Sequence, residues 1–250
     1  MTPDPTSLSA RYGAAFIATI EEVRATQWDA ISLAGGRCFD VIRSGGIVYA
    51  YGSGHSAHVA ADLTCRAGGL VPVECIYEPS LVSPPHGQKA SLLERVDGIG
   101  KAVFEGWSPT AGDCAIVVSN SGRNDAVVGF AEAARAAGVP VIAVTSIAHS
   151  QRYGPANRSE KCLWECADIV IDTRVPAGDA LIDDVFAGWS AGPASTAISS
   201  FITQSIVLEV VDRYLVAGLR PPVLMSANVP DGARWNASVL EGWKGRIHAL

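Results

Sequence analysis

The chain has 250 residues, of which 48% are hydrophobic and 18% are charged, and its formal net charge is −6. This length and composition suit a large α/β domain with a substantial core. An acidic chain has no basic face for neutralising nucleic-acid phosphates, so we expect no nucleic-acid partner. Because there is no apolar run of about 18 residues and no basic, apolar leader, we expect a cytoplasmic protein that does not span a membrane.

Strand and helix patterns alternate along most of the chain. Apolar residues at helical spacing, among them Phe16, Ile20 and Ile31, predict helix over residues 8–44. Short apolar runs predict five strands, at residues 47–51, 71–76, 114–118, 140–145 and 168–172. The remaining helices are predicted at residues 56–67, 91–106, 124–137 and 195–216.

This alternation predicts an α/β fold: a three-layer α-β-α sandwich around a five-stranded parallel sheet, preceded by N-terminal helices. We divide the chain into a helical segment (1–44), a central domain (45–217) and a C-terminal loop and tail helix (218–250) that packs on the same domain. Polar loops are predicted at residues 77–89, 149–161 and 220–236. Ligands of such sheets bind beyond the carboxyl ends of the strands.

Two polar turns lie between a predicted strand and a predicted helix, where free N–H groups and the helix dipole favour an anion. They are Gly52-Ser53-Gly54-His55-Ser56 and Ser119-Asn120-Ser121-Gly122-Arg123-Asn124. The second turn lacks the lysine of a Walker loop, and its neutral hydroxyls suit a small phosphate ester that must be released. One such turn is commonly a plain helix cap. Two in one parallel sheet indicate a shared ligand site.

Six cysteines are present, and we expect them to be reduced. Cys162 and Cys166 are four residues apart on a predicted helix, but two thiols without a matching pair of ligands make a poor zinc site. We therefore predict no metal site.

Several motifs together resemble those of one family. They are the two polar turns, Arg66-Ala67-Gly68-Gly69-Leu70, Leu93-Glu94-Arg95 and Pro222-Val223-Leu224-Met225-Ser226-Ala227-Asn228-Val229. In these motifs the chain resembles stand-alone sugar isomerase (SIS) domain proteins of about this size, over roughly residues 10–248. SIS domains bind phosphosugars and occur in aldose–ketose isomerases, in N-acetylmuramic acid 6-phosphate etherase and in sugar-sensing transcription regulators. The resemblance implies a SIS fold and an association with dehydration of N-acetylglucosamine 6-phosphate.

The resemblance also implies roles for individual residues. Phosphate and substrate binding falls to the two turns, at Ser53, Gly54, His55, Ser56, Ser119, Asn120, Ser121 and Asn124. Glu94 resembles the second glutamate of the etherase, and Glu78 the catalytic glutamate of the isomerase domain of glucosamine-6-phosphate synthase. Asp62 stands where many relatives have a glutamate pair, and its side chain is one methylene shorter.

These residues support reactions that begin with removal of the C2 proton from a ring-opened sugar 6-phosphate. Glu94 would be the base and Glu78 the acid or second base, while His86 or His55 would assist ring opening. No cofactor is required. An acetamido group at C2 blocks the simple enediol route, which favours dehydration of an N-acetylamino sugar 6-phosphate such as N-acetylglucosamine 6-phosphate.

An aldose–ketose isomerase and a non-catalytic sugar-phosphate sensor stay open as alternatives. The first 45 residues contain four arginines and no lysine, which weakens the case for a DNA-linked sensor. SIS proteins commonly build each site from two subunits. We therefore expect a homodimer or homotetramer with shared active sites.

Overall fold

One long helix opens the structure, a computed structural model that describes Asp4 and residues 6–247. Helix α1 (Leu8–Arg43) is continuous over 36 residues, so a single helix occupies the segment in which several were expected. It begins where the Ser7 hydroxyl accepts the backbone N–H of Ala10 at 3.3 Å, a side-chain cap that satisfies one free donor of the first turn.

A five-stranded parallel sheet forms the centre of the molecule and confirms the predicted α/β sandwich. The strands are β1 (Val48–Gly52), β2 (Val73–Ile76), β3 (Cys114–Ser119), β4 (Val141–Thr145) and β5 (Ile169–Asp172). Their spatial order is β2-β1-β3-β4-β5. Helices cover both faces, which explains why the strands are continuous apolar runs in the sequence.

The sheet divides the core into two parts, and helices cover each part. Besides α1 they are α2 (Ser56–Asp62), α3 (Gly87–Leu93), α4 (Ile99–Trp107), α5 (Asp125–Ala136), α6 (Ile147–Tyr153), α7 (Ser195–Val216) and α8 (Gly232–Leu240). One core part packs α1, α2 and α7 on the sheet, and the other packs α4 and α5. In β1, Val48 and Ala50 face the first part, whereas Tyr49 and Tyr51 face the second, as strand alternation requires. Across the described part of the chain, no helix combines the length and apolarity that a membrane span needs.

Two predicted helices were too long. Helix α2 ends at Asp62 rather than near residue 67, because the chain turns at Cys65, where φ is +51°. The helix predicted over residues 91–106 is two helices, α3 and α4, separated by residues 94–98. The break falls before Gly98, whose φ of +82° no ordinary helix contains.

Three further elements differ from the sequence predictions. Helix α6 occupies the first part of the loop predicted at residues 149–161, because the Ser146 hydroxyl caps it by accepting the His149 N–H at 3.1 Å. Helix α8 lies in the segment for which a tail helix was predicted, but it begins earlier, inside the loop predicted at residues 220–236. An antiparallel hairpin of β6 (Ala180–Phe186) and β7 (Trp189–Pro193) was missed, because its turn is Ala187-Gly188 and not a common hairpin dipeptide.

Candidate active site

The two polar turns meet at one place on the sheet. The strand order changes direction between β1 and β3, which are hydrogen-bonded neighbours, and each is followed by one of the turns. Open α/β sheets bind their ligands in the crevice at this kind of position, beyond the carboxyl ends of the strands. The fold therefore brings together the two turns that the sequence analysis selected.

The first turn is tied to the segment that follows β2. The Gly54 N–H donates to the Leu81 carbonyl oxygen at 2.7 Å, and the Ser56 N–H donates to the Ser53 carbonyl oxygen at 3.1 Å. The side chain of Ser53 is buried, that of Ser56 is half-buried and that of His55 is exposed. Ser56 is the first residue of α2, so hydroxyls and a ring nitrogen gather at the amino end of that helix.

The second turn presents its donors at the amino end of α5, a helix of 12 residues. The Ser119 hydroxyl accepts the Gly122 N–H at 3.0 Å, which leaves its own proton free to donate. Asn124 is the N-cap residue, yet its side chain makes no capping hydrogen bond. Ser121 and Asn120 are half-buried. The turn therefore offers hydroxyl and amide groups, together with the positive end of a helix dipole, to an anion.

Arg123 points away from this cluster of donors. Its guanidinium donates to the backbone carbonyls of Tyr153, at 2.8 Å, and Gly154, and it stacks over the Tyr153 ring. The guanidinium thus fixes the turn to the end of α6. Neutral groups remain as the donors of the second turn.

Glu94 contacts the first turn directly. The Ser53 hydroxyl donates to Glu94 Oε2 at 3.1 Å, and the Glu94 carbonyl oxygen accepts the N–H of Ala126 in the first turn of α5. Burial raises the pKa of Glu94 above its ordinary value, while the Ser53 hydrogen bond and the charge of Arg95 act in the opposite direction. A half-buried carboxylate with a raised pKa beside a ligand turn is suited to act as a general base.

The other three catalytic candidates lie in different surroundings. Glu78 accepts hydrogen bonds from the Ser80 hydroxyl at 2.7 Å and the Ser80 N–H at 3.2 Å, and it lines a cavity of about 340 Å³. His86 is exposed at the start of α3. Asp62 pairs with Arg66 and accepts from Gln204 Nε2 at 3.1 Å. It therefore lies with α2 and α7, on the face of the sheet opposite to Glu94.

Three buried polar groups lie at the same edge of the sheet, and sequence reasoning missed two of them. Tyr51 Oη, Asn120 Oδ1 and Thr145 Oγ1 are buried, and none has a hydrogen-bond partner among the described residues. They lie at the ends of β1, β3 and β4, which are adjacent strands. Asn120 was selected, but Tyr51 and Thr145 were read only as strand residues. A hydroxyl at the carboxyl end of a strand next to the crevice was the signal available in the sequence.

Tyr51 lies among the carboxylates of the site. Burial raises its pKa above the ordinary value, and the negative charges of Glu78, Glu94 and Asp125 raise it further. Its phenol is consequently protonated at physiological pH and can act as a donor.

Among residues 6–247 and Asp4, no group of three or more histidine, cysteine or acidic side chains is arranged to hold a metal ion.

Comparison with known proteins identifies the class. A family model described as the SIS domain matches residues 11–146, so the chain carries a SIS domain. The UPF0309 protein of Streptomyces griseus subsp. griseus is 36% identical over 96% of both chains. The UPF0309 protein of Streptomyces coelicolor is 37% identical over 93% of this chain and 94% of its own. The chain belongs to this UPF0309 family of SIS domain proteins.

Solved structures show the same fold at low sequence identity. An Escherichia coli CFT073 protein in complex with A5P has a TM-score of 0.54 and 16% identity, over 83% of this chain and 90% of that one. The Vibrio vulnificus NanR protein complexed with ManNAc-6P has a TM-score of 0.54 and 14% identity, over 96% of this chain and 71% of that one. A phosphoheptose isomerase from Francisella tularensis has a TM-score of 0.53 and 17% identity, over 80% of this chain and 94% of that one. Proteins of this fold thus include an isomerase and proteins that bind sugar phosphates.

Proposed function

We propose that this protein is a phosphosugar-processing enzyme that removes the C2 proton of a ring-opened sugar 6-phosphate. The observation that carries the proposal is the hydrogen bond from Ser53 to Glu94, which joins a half-buried carboxylate to a phosphate-type turn. Phosphate binding falls to Ser53, Gly54, His55, Ser56, Ser119, Asn120, Ser121 and Asn124. Complexes of two proteins of this fold with A5P and ManNAc-6P support a sugar phosphate as the ligand.

The favoured reaction is dehydration of an N-acetylamino sugar 6-phosphate such as N-acetylglucosamine 6-phosphate. Glu94 takes the C2 proton, and the electron pair moves into an enolate whose oxygen is the former C1 carbonyl oxygen. The enolate then re-forms the carbonyl and a C2–C3 double bond, while the C3 hydroxyl leaves with a proton as water. Glu78, which already accepts from Ser80, is the candidate proton donor, and His86 or His55 would assist ring opening.

Shared sites between subunits fit the distribution of apolar side chains. Large apolar residues are exposed on α1, on α7 and on the hairpin; they include Ile17, Leu33, Leu208, Val216, Phe186 and Trp189. Exposed large apolar side chains are typical of surfaces that a partner covers. We therefore propose a homodimer or homotetramer in which neighbouring subunits complete each other's sites.

A proton NMR time course in deuterated water with N-acetylglucosamine 6-phosphate tests the proposed reaction. A dehydratase gives a new vinylic proton at C3. Exchange of the C2 proton for deuterium, or a ketose signal with hexose or glucosamine 6-phosphate, would instead indicate an isomerase. Saturable binding without turnover of any sugar phosphate would indicate a sensor.

Glu94→Gln tests the base. The amide keeps the shape of the side chain and can still accept from Ser53, but it cannot take a proton. We expect turnover to fall by about 10²–10⁴-fold, the usual contribution of a general base. Glu105→Gln is the matched control, because Glu105 is an exposed carboxylate on α4 that pairs with Lys101. Equal activity of the two variants would exclude Glu94 as the base.

A further inference from the structure

The hydroxyl of Tyr51 is a buried donor without a visible use. The residue is 0% exposed, and within the described residues its hydroxyl has no hydrogen-bond partner. Its ring stacks on Phe130 of α5, with ring centroids 4.4 Å apart and an interplanar angle of 26°. A buried hydroxyl left unpaired is costly for a folded protein, whereas phenylalanine would fill the same space at no such cost. The fixed ring therefore holds a donor in place for another purpose.

The position of Tyr51 relates it to Glu94. Tyr51 and Ser53 are two residues apart where β1 ends, and Tyr51 faces the half of the core that contains α5. Ser53 reaches Glu94 Oε2, while the Glu94 backbone is hydrogen-bonded to Ala126 at the start of α5. Glu94 therefore lies between the end of β1 and the start of α5, next to the helix on which the Tyr51 ring is stacked.

The other carboxylates near Tyr51 already have donors of their own. Glu78 accepts from both the hydroxyl and the N–H of Ser80. Asp125 accepts the Gly100 N–H at 3.2 Å. Glu94 is different, because Ser53, its one side-chain donor among the described residues, is also a predicted phosphate ligand. A hydroxyl carries a single proton, so Ser53 cannot donate to the phosphate and to Glu94 at the same time.

We propose that Tyr51 is a positioning residue for Glu94, and that its phenol donates to the Glu94 carboxylate when a bound phosphate draws away the Ser53 hydroxyl. This inference rests on the proposed function, because the exchange requires a phosphate at the two turns. The exchange keeps the base oriented while substrate is bound. In the free protein Ser53 holds Glu94, and in the complex Tyr51 holds it.

The test compares Tyr51→Phe, Ser53→Ala and the control Tyr49→Phe. Tyr49 lies on the same strand and the same face, but towards its other end, where Glu74 and Asp113 are its charged neighbours. The titration of Glu94 is followed by carboxyl carbon NMR, with Glu94→Gln assigning the signal, in the absence and presence of inorganic phosphate. Arg95 is the charged group that acts on the titration of Glu94, and Glu78 and Asp125 are the other carboxylates that act on Tyr51. None of the three test variants alters them.

The two variants should raise the pKa of Glu94 under opposite conditions. Ser53→Ala should raise the pKa of Glu94 in the free protein, and Tyr51→Phe should raise it only when phosphate is bound. With substrate, Tyr51→Phe should lower kcat by about tenfold or more, as expected for one hydrogen bond to a charged group. The acid limb of the pH profile of kcat should move to higher pH. The acid limb of the kcat/KM profile should stay in place, because kcat/KM reports the titration of the free enzyme. Tyr49→Phe should match the parent protein in each measurement.

Three results would overturn the inference. An equal effect of Tyr51→Phe with and without phosphate would show that Tyr51 acts on Glu94 in the free protein as well. If phosphate binds but Tyr51→Phe leaves the pKa of Glu94 unchanged in both conditions, Tyr51 does not act on Glu94. The proposed function would then be untouched. Failure of phosphate to bind at all would overturn both the inference and the proposed function. Tyr51→Phe should fold normally, because it removes a hydroxyl that pairs with none of the residues the structure describes.

Discussion

Gly122, in the turn between β3 and α5, offers the most direct test of the site's geometry. A Cβ atom at this position would lie 2.6 Å from Thr145 Oγ1 and 3.3 Å from Leu163 Cβ, and the residue has a φ of +58°. Thr145 is 0% exposed, so its hydroxyl has little room to move away. Gly122→Ala should therefore displace the turn that carries Ser119 and Asn124.

The loss in free energy of unfolding that Gly122→Ala should cause has two parts. The left-handed backbone costs an L-residue about 1–2 kcal/mol, and forcing one extra methyl group into a packed site costs about 1–3 kcal/mol. Gly122→Ala should therefore lower the free energy of unfolding by about 2–5 kcal/mol. Gly54→Ala is the matched control, because Gly54 also has a φ of +58° but a Cβ there would meet no atom within 4 Å. Gly54→Ala should therefore show only the backbone cost of about 1–2 kcal/mol.

Urea unfolding followed by circular dichroism measures both values under the same conditions. A double-mutant cycle with Thr145→Ala isolates the clash, since this change removes the hydroxyl that the new methyl group would meet. We expect Gly122→Ala to cost less in the Thr145→Ala background than in the parent. Equal losses for Gly122→Ala and Gly54→Ala, with no coupling to Thr145, would refute the close packing of this turn against β4.

Two further predictions concern the base and the long helices. Ser53→Ala removes the hydrogen bond that opposes the burial effect on Glu94, so the pKa of Glu94 should rise further. Because a base must be deprotonated to act, the acid limb of a kcat/KM profile should then move to higher pH; an unchanged limb would mean that Glu94 is not the group that titrates. Gly35→Ala should destabilise the protein by about 1–3 kcal/mol or more in thermal unfolding, because its Cβ would lie 2.3 Å from Glu209 Cβ on α7. Gly13→Ala on the same helix meets nothing within 4 Å and should stabilise by up to about 1 kcal/mol, so equal effects of the two changes would contradict the observed packing of α1 on α7.

Regular elements were predictable because their patterns are local. The five strands are short apolar runs buried on both faces, and the sequence analysis located each within about two residues. Helices α5 and α7 were located equally well, since their ends coincide with clear changes in pattern. The hairpin of β6 and β7 was not predictable on this basis: Ile182 is buried but Phe186 and Trp189 are exposed, so the strands lack a consistent apolar face.

The site was predictable to the extent that it depends on turns after strands. The order of the strands then decides which turns meet. A parallel sheet whose order changes direction between β1 and β3 brings the two Ser-rich turns together. The burial of Tyr51 and Thr145 could not be inferred, because it depends on packing against residues distant in sequence. The same holds for Arg123, whose guanidinium is hydrogen-bonded to the end of α6 and is not among the proposed phosphate donors.

The largest error in the helix predictions coincides with the leading catalytic candidate. Residues 91–106 have an apolar pattern that a single helix would satisfy, yet the chain breaks after Leu93 and Glu94 becomes the C-cap of α3. In a continuous helix the Glu94 carbonyl oxygen would accept an N–H four residues later. Instead it accepts the N–H of Ala126 at the start of α5, and this bond holds Glu94 against the crevice, within reach of Ser53. Local pattern and tertiary structure commonly disagree at functional sites, and here the disagreement places Glu94 where the proposed reaction requires a base.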